Sequence, residues 1–477
     1  MDTPTSLSES PFAYPLSLCL FSTLATYIAS VLTSNVSQVD RLWTFLPTIY
    51  TAYFALTPLW PKTPTTIGGI WIPIVPFVPA NLEAQLPRDA AGSITFSHRA
   101  LLLLTLITLW MCRLSYNTFR RGLFSLADED YRWAVLRRQF DERFGPSGGK
   151  VVFQIVNLTF IAATQNVLLM ALGWPAYLAV TQSKMDGNNL IQTDYLLATW
   201  ALGILFIEFT SDNQQFVYQT YKHTFLARVK ENPESEAHAY ALRTASAVAW
   251  PFASPIDYLK LSPADARRGF VTSGLWGFSR HPNFACEQTF WWLMCAVPVY
   301  AGSLGTVKAA VIGTPDNQAF SWDGITIAVA EFIEWLFNVI RASSPSHEHT
   351  FASSADRLVH FMPAIALSIL FVSSTAYTEA ISSSKYPVPY TAYQKRVAMF
   401  GSVPLLGLFP MLLPVMTFFG WRRSLEIVDE PVKGLLEYSS MKGLWWRFTT
   451  NDVERKRVEG LVWGDPVAPE MKDVNGQ

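Results

Sequence analysis

Seven stretches of this chain are apolar over about 20 residues, the length that crosses a bilayer core: roughly 14–34, 42–60, 98–119, 151–180, 195–217, 284–302 and 358–378. The pattern predicts an all-α fold, a polytopic membrane bundle of about seven transmembrane helices. Two further apolar segments do not read as simple spans. Residues 325–341 carry Glu331 and Glu334 in mid-stretch, and 398–420 contain Pro404, Pro410 and Pro414. An interfacial helix is expected at the first and an interfacial or re-entrant path at the second.

Basic residues orient the bundle. Eight Lys and Arg fall within 113–150 and eight within 222–280, against Lys184 alone in 183–194. Cytoplasmic loops collect positive charge, so the two rich segments are expected in the cytosol and the poor loop, with the N-terminus, on the other side. Nothing basic precedes Arg41, and the first apolar stretch exceeds a signal-peptide core, which predicts a retained helix. The mixed-charge tail, 421–477, is expected in the cytosol.

Composition agrees: half the residues are hydrophobic, 15% are charged, and there are 17 Trp, 18 Tyr and 32 Phe, a membrane-protein profile. The formal net charge of -1 gives no basic surface for nucleic-acid phosphates, so no nucleic-acid partner is expected. Cys19, Cys112, Cys286 and Cys295 show no C-x-x-C spacing; we expect buried thiols and no metal site.

Polar groups inside spans are costly and mark function or interhelical contact. In 206–219, Glu208, Asp212, Gln215 and Gln219 stand at offsets 0, 4, 7 and 11, one helical face. That face belongs in the bundle, although Gln219 fits equally well a span emerging into water. The stretch SGLWGFSRHPNFACEQ, 273–288, opens a helix at Pro282 beside Arg280 and His281, an arrangement suited to an anion. Asn283 and Glu287, four apart, point the same way; a helix cap with a snorkelling arginine is the plainer alternative. Residues 378–397 supply Glu379, Lys385, Tyr386, Tyr390, Tyr393 and Arg396. An aromatic belt explains the tyrosines but not Glu379 or Lys385. The Arg- and acid-rich loop 113–140 fits a solvated surface as well as a site. Asn157, Gln165 and Asn166 are expected to make interhelical hydrogen bonds.

Together, SGLWGFSRHPNFACE and KYPVPYTAYQKRV resemble the C-terminal signature of the steroid 5-alpha-reductase and sterol-reductase superfamily. SQVDRLWTFLPTIY, RLSYNTFRRG and EDYRWAVLR are similar to a fungal and bacterial branch of it. The resemblance covers about residues 35–400. It implies a reductase-like membrane domain over 98–400, preceded by N-terminal helices and a non-cytosolic loop (1–97) and followed by an interfacial segment and tail (401–477). It also implies NADPH-dependent reduction of a carbon–carbon double bond in a lipid entering from the bilayer, and residence in the endoplasmic reticulum. Trp276, Arg280, His281, Asn283 and Glu287 of the first motif, and Lys385, Tyr386 and Tyr393 of the second, are implied to line the cofactor pocket together with Asp212.

Where sterol reductases place a Lys and an Arg on the cofactor, this chain has Gln215 and Gln219, and Phe284 replaces the usual Tyr. Neutral amide contacts to phosphate are weaker than charge-assisted ones. That leaves NADH open, or NADPH held by other arginines such as Arg113 or Arg132. Glu208 and Tyr386 are the candidate proton donors. Isoprenylcysteine carboxyl methyltransferases share a related R-H-P-x-Y ending, so an S-adenosylmethionine-dependent methyltransferase is the rival enzyme; a non-catalytic lipid-binding homologue is the third reading.

Overall fold

The computed structural model describes residues 9–67, 70–72, 74–126, 128–186, 188–249, 259–311 and 359–400. The expectations for 325–341, for 401–420 and for the tail lie outside the described residues. The chain divides into two units, Met1–Ala198 with Trp291–Ile369 and Thr199–Phe290 with Leu370–Gln477.

Among the described residues, five helices are long and apolar enough to cross a membrane: Ala13–Thr33, His98–Arg120, the composite Tyr131–Gln182, Gln192–Arg228 and Met362–Lys385. The only strands among the described residues are a two-residue hairpin pair, Thr66–Ile67 with Ile70–Trp71. The protein is an integral membrane protein, and helix α1 (Ala13–Thr33) shows why. Leu20, Leu24, Ile28 and Leu32 are exposed on one stripe, while Ser22, Thr26 and Ser30 are buried on another. Small polar residues pack inward and leucines face outward, the reverse of a water-soluble helix and the arrangement lipid favours.

The expected span 42–60 differs. It is broken into α2 (Gln38–Trp43) and α3 (Leu46–Ala55), the latter ten residues long, or about 15 Å at 1.5 Å per residue. Pro47 in the first turn of α3 supplies no amide hydrogen, so the ladder from α2 stops there. After a short helix, α4 (Ala80–Glu83), comes α5 (His98–Arg120), opened by Ser97, whose hydroxyl accepts from the Ala100 amide at 3.3 Å. Helix α6 (Tyr131–Val156) bends at Gly145, φ 76°, followed by Pro146. Glycine alone takes that φ without strain, and the proline restarts the helix. The path continues through a π-helical stretch, Asn157–Thr164, into α7 (Gln165–Ala171) and α8 (Trp174–Asp186).

The interhelical role expected for two asparagines is met in the first unit. Asn157 Nδ2 donates to Ser30 Oγ at 2.8 Å and Asn166 Nδ2 to Thr26 Oγ1 at 3.3 Å, so both asparagines read the buried polar stripe of α1. Arg99 near the start of α5 forms a two-pronged pair with Asp194, 2.9 Å at each prong, with both side chains under 5% exposed. Asp194 lies in the first turn of α9 (Gln192–Arg228), where a negative charge also meets the positive end of the helix dipole. Cys19, Cys286 and Cys295 are buried as expected; Cys112 is exposed instead, on a face of α5 that turns outward.

In the second unit, α9 continues from Thr199 and is followed by α10 (Glu234–Ala247) and α11 (Pro263–Arg268). Helix α11 is held at its start by a capping box: Ser262 Oγ accepts from the Asp265 amide while Asp265 accepts from the Ser262 amide. Gly269, φ 91°, ends it in the left-handed conformation. Three more helices complete the described path: α12 (Pro282–Val311), α13 (Met362–Lys385) and α14 (Pro387–Arg396). The stretch 284–302 expected as a span lies inside α12. It is not among the five.

Candidate functional site

The polar residues singled out in 206–219, 273–288 and 378–397 come together in the second unit, through a chain of hydrogen bonds whose centre is Arg280. Its Nε donates to Glu379 Oε1 at 2.6 Å and a terminal nitrogen to Glu379 Oε2 at 2.9 Å. The other terminal nitrogen donates to the carbonyls of Gln394, at 3.3 Å, and Val397. Those carbonyls belong to the last turn and cap of α14, the orphan acceptors of a helix end, so the cation completes that helix electrostatically. The side chains of Arg280 and Glu379 are 5% and 6% exposed.

This differs from the anion pocket expected at Arg280. The guanidinium is engaged by a carboxylate and two carbonyls of its own chain, and the Arg280 and His281 amides donate to Ala398 and Met399 carbonyls at 2.9 and 3.1 Å. Arg280 therefore positions the two motif segments against each other. Glu379, which an aromatic belt left unexplained, is the hub: it also faces His281 Nε2 at 3.0 Å and accepts from Gln394 Nε2 at 3.0 Å. Burial holds the His281 imidazole below its usual value, with Glu379 pulling it up. At neutral pH the ring is uncharged, and the carboxylate assigns its proton to Nε2.

Around this hub the other motif residues fall into place. Tyr393, 2% exposed, donates its hydroxyl to the Trp276 carbonyl, and burial raises the phenol well above its usual pKa. Trp276 Nε1 donates to the Ser211 carbonyl of α9 at 3.2 Å, and Gln214 Oε1 accepts from the Leu275 amide at 2.9 Å. Asn283 Nδ2 donates to Asp212 Oδ1 at 3.1 Å. Thus α9 is tied to the start of α12 by a direct bond between the two predicted faces. Glu208 and Glu287 are buried, 1% and 5% exposed, and Gln215 is half-buried with its Oε1 shielded and without a hydrogen-bond partner among the described residues.

Lys385 and Tyr386 sit apart from the Arg280 hub, at the junction of α13 and α14. Lys385 is exposed, its Nζ 5.4 Å from the Tyr386 ring centroid. The Tyr386 ring lies on Gly269 so closely that a Cβ there would stand 2.6 Å from the hydroxyl oxygen. Gly269→Ala combines this clash with a left-handed φ, so we expect a loss of about 1–3 kcal/mol. Thermal unfolding in detergent measures it, and adding Tyr386→Ala should recover the clash but not the backbone strain. Lys222 of α9, which sequence reasoning passed over as one of eight orienting cations, belongs here: it is 9% exposed and its Nζ donates to the Gly269 carbonyl at 3.2 Å.

Arg113 and Arg132 belong to the first unit. Arg113 is half-buried in α5. Arg132 is committed to Asp130, with Nε to Oδ1 at 3.0 Å and a terminal nitrogen to Oδ2 at 2.7 Å. Burial pushes the Asp130 carboxyl up, but the Arg132 bonds and charge outweigh it and hold it below its usual value. Around them the motifs 37–50 and 129–137 meet. Asn35 Nδ2 donates to the Leu126 and Asp128 carbonyls at 3.0 Å each, and Arg41 to those of Ser125 and Asp128. The Asp130 amide donates to Ser37 Oγ at 3.1 Å, and Arg137 pairs with Glu129. This is a structural clamp, and Arg132 as a cofactor ligand gives way to Arg132 as the partner of a helix cap.

Fold and side chains define a polytopic helical membrane protein with a buried polar node in its second unit. Residues 80–315 match the model of a family described as a protein of unknown function, DUF1295. At 27% identity over 286 residues, 60% of this chain, it is similar to an uncharacterized protein of Schizosaccharomyces pombe, of whose length the match spans 63%. No solved structure matches the chain.

Proposed function

We propose that this protein is a membrane-embedded, NAD(P)H-dependent reductase of a carbon–carbon double bond in a steroid, sterol or other lipid, resident in the endoplasmic reticulum. The observation that carries the reading is the meeting of Asp212, Asn283, Trp276 and Tyr393 through α9, the 273–288 stretch and α14. These segments are far apart in sequence, and they are the ones the resemblance to steroid and sterol reductases singles out.

Two features suit a dinucleotide. The shielded Gln215 Oε1 is an acceptor awaiting a donor such as a carboxamide, and Lys222 is a buried cation beside a carbonyl. Asp212, Gln215, Asn283 and Glu287 would hold the cofactor, with Lys385 and Tyr386 at its far end and Arg280, His281, Trp276 and Tyr393 fixing the segments that carry them. When bound, the cofactor supplies a hydride. Of the two candidate proton donors, Glu208 is the one consistent with this placement, since Tyr386 would lie at the cofactor's far end.

The reading includes about seven crossings. Asn35 and Arg41 are bonded to Leu126 and Asp128, which supports an even number of crossings between them. In this reading α5 would be one, the stretch 42–60 with its broken helices the other, and α12 the seventh beside the five long helices.

The test is thermal stabilisation of the purified full chain by NADPH, NADH and S-adenosylmethionine. A dinucleotide at 100 times its Kd should stabilise by about 2.7 kcal/mol. Asn283→Ala and Glu287→Ala should abolish that gain, with the unliganded Asn283→Ala protein losing about 1–2 kcal/mol for one hydrogen bond to a carboxylate. Stabilisation by S-adenosylmethionine alone favours the methyltransferase; stabilisation by none favours a lipid-binding protein.

A further inference from the structure

Between Lys62 and Glu83 the chain runs for 20 residues, 63–82, without a charge, and Ile, Val and Phe dominate its second half. That is the length of a span, but Pro64, Pro73, Pro76 and Pro79 rule out a helix through it. The stretch leaves the end of α3 as a loop with a pinned neck. The Val78 amide donates to the Pro61 carbonyl at 2.8 Å. Tyr53 of α3 donates its hydroxyl to the Phe77 carbonyl at 3.0 Å, and its own carbonyl accepts from Trp60 Nε1 at 2.8 Å. Phe77, Val78 and Leu82 are buried at this base. Beyond it Thr66–Ile67 pairs with Ile70–Trp71, and Ile67 and Ile74 are 70% and 53% exposed.

The charges that bound the stretch meet at the neck. Lys62 Nζ stands 2.6 Å from Glu83 Oε1, and Arg88 reaches the same oxygen at 3.5 Å. The loop is thus a finger with a charged collar and an uncharged, apolar tip. Water is a poor neighbour for such a tip, because a lone two-stranded hairpin is marginally stable in water and bare isoleucine surface is disfavoured there. A bilayer surface supplies what is missing. The finger springs from α3, which packs against α5 and α8, both within long apolar helices, so it emerges at the bilayer edge. The collar charges then belong among the headgroups and the tip beside them. Strands of two residues leave edge backbone groups that hydrocarbon cannot satisfy, which bars the tip from the bilayer core and sets it at the interface.

We propose that the Thr66–Ile67 and Ile70–Trp71 hairpin, with Ile74, is a membrane-docking finger whose partner is the lipid surface beside the end of α3. The run without charge makes the contact apolar rather than headgroup-selective. This inference does not depend on the reductase reading.

Site-directed labelling of the full chain in phosphatidylcholine nanodiscs tests it. Cys112 is the exposed member of the four cysteines, so Cys112→Ser is the parent into which Ile67→Cys, Ile74→Cys and Ala91→Cys are introduced singly. Ala91 is the aqueous control, exposed in the polar turn held by Asp89. Thermal unfolding against the parent checks that each variant folds, and either isoleucine position suffices if the other variant does not. An environment-sensitive fluorophore at 67 or 74 is expected to emit to the blue of one at 91. Its quenching should be stronger by lipids with a doxyl group near the headgroup than near the chain end, as suits a depth of about 5–10 Å. The unlabelled thiols at 67 and 74 should react about tenfold more slowly with a charged maleimide than the thiol at 91, because apolar surroundings keep a thiol protonated. Equal emission and equal reaction rates at the three positions would overturn the proposal. Slow reaction at 67 and 74 without quenching by either doxyl lipid would overturn it too, since protein rather than lipid would then cover the finger.

Discussion

Glu379→Ala is expected to destabilise the protein by about 3–5 kcal/mol, because it leaves the Arg280 guanidinium buried without its counter-charge. Three hydrogen bonds end at this carboxylate besides the one from Arg280 Nε: those from the other Arg280 prong, His281 and Gln394. The carbonyls of Gln394 and Val397 still accept from Arg280 in the variant, which keeps the loss at the scale of a broken pair rather than of an isolated charge. Glu379→Gln keeps the shape and one acceptor and should cost less. In an Arg280→Met, Glu379→Leu double variant neither charge is orphaned, so its loss should fall well below the sum of the single losses. Thermal unfolding of wild type, Arg280→Met, Glu379→Leu and the double variant in one detergent closes this cycle. An additive result would mean that the pair is screened by water and that the hub is weaker than its geometry.

The second large effect is expected in the first unit. Asp194→Ala should cost a similar 3–5 kcal/mol, since Arg99 at 4% exposure would lose both prongs. The Asp194 carboxylate also accepts from the Ile191 amide at 2.9 Å, so its loss opens the first turn of α9 as well. Asp194→Asn, which keeps one oxygen, separates the contributions: the Ile191 contact survives while the charge is gone. Urea or thermal midpoints measure both, and a change under 1 kcal/mol in Asp194→Ala would show that water reaches the pair.

The sequence showed the helical membrane class and most of its long helices, because a lipid-facing stripe such as Leu20, Leu24, Ile28 and Leu32 must be written in apolar residues whatever the tertiary arrangement. The broken helix at 42–60 was legible in principle, Pro47 being its signal. The site was legible as a set of residues and not as a set of partners. Arg280 and Glu379 both stood out, yet 99 positions separate them, and pairing depends on how α12 and α13 pack, which no local period encodes. Lys222 went unnoticed for the opposite reason. Its neighbourhood is rich in Lys and Arg, and charge counting treats all of them as orienting the bundle, whereas burial distinguishes this one.

Asn35 and Arg41 grip the main-chain oxygens of Ser125, Leu126 and Asp128. A lock that reads the peptide skeleton makes small demands on the residues that decorate it. Substitution at Leu126 should therefore be borne more easily than substitution at either of the two residues that hold it.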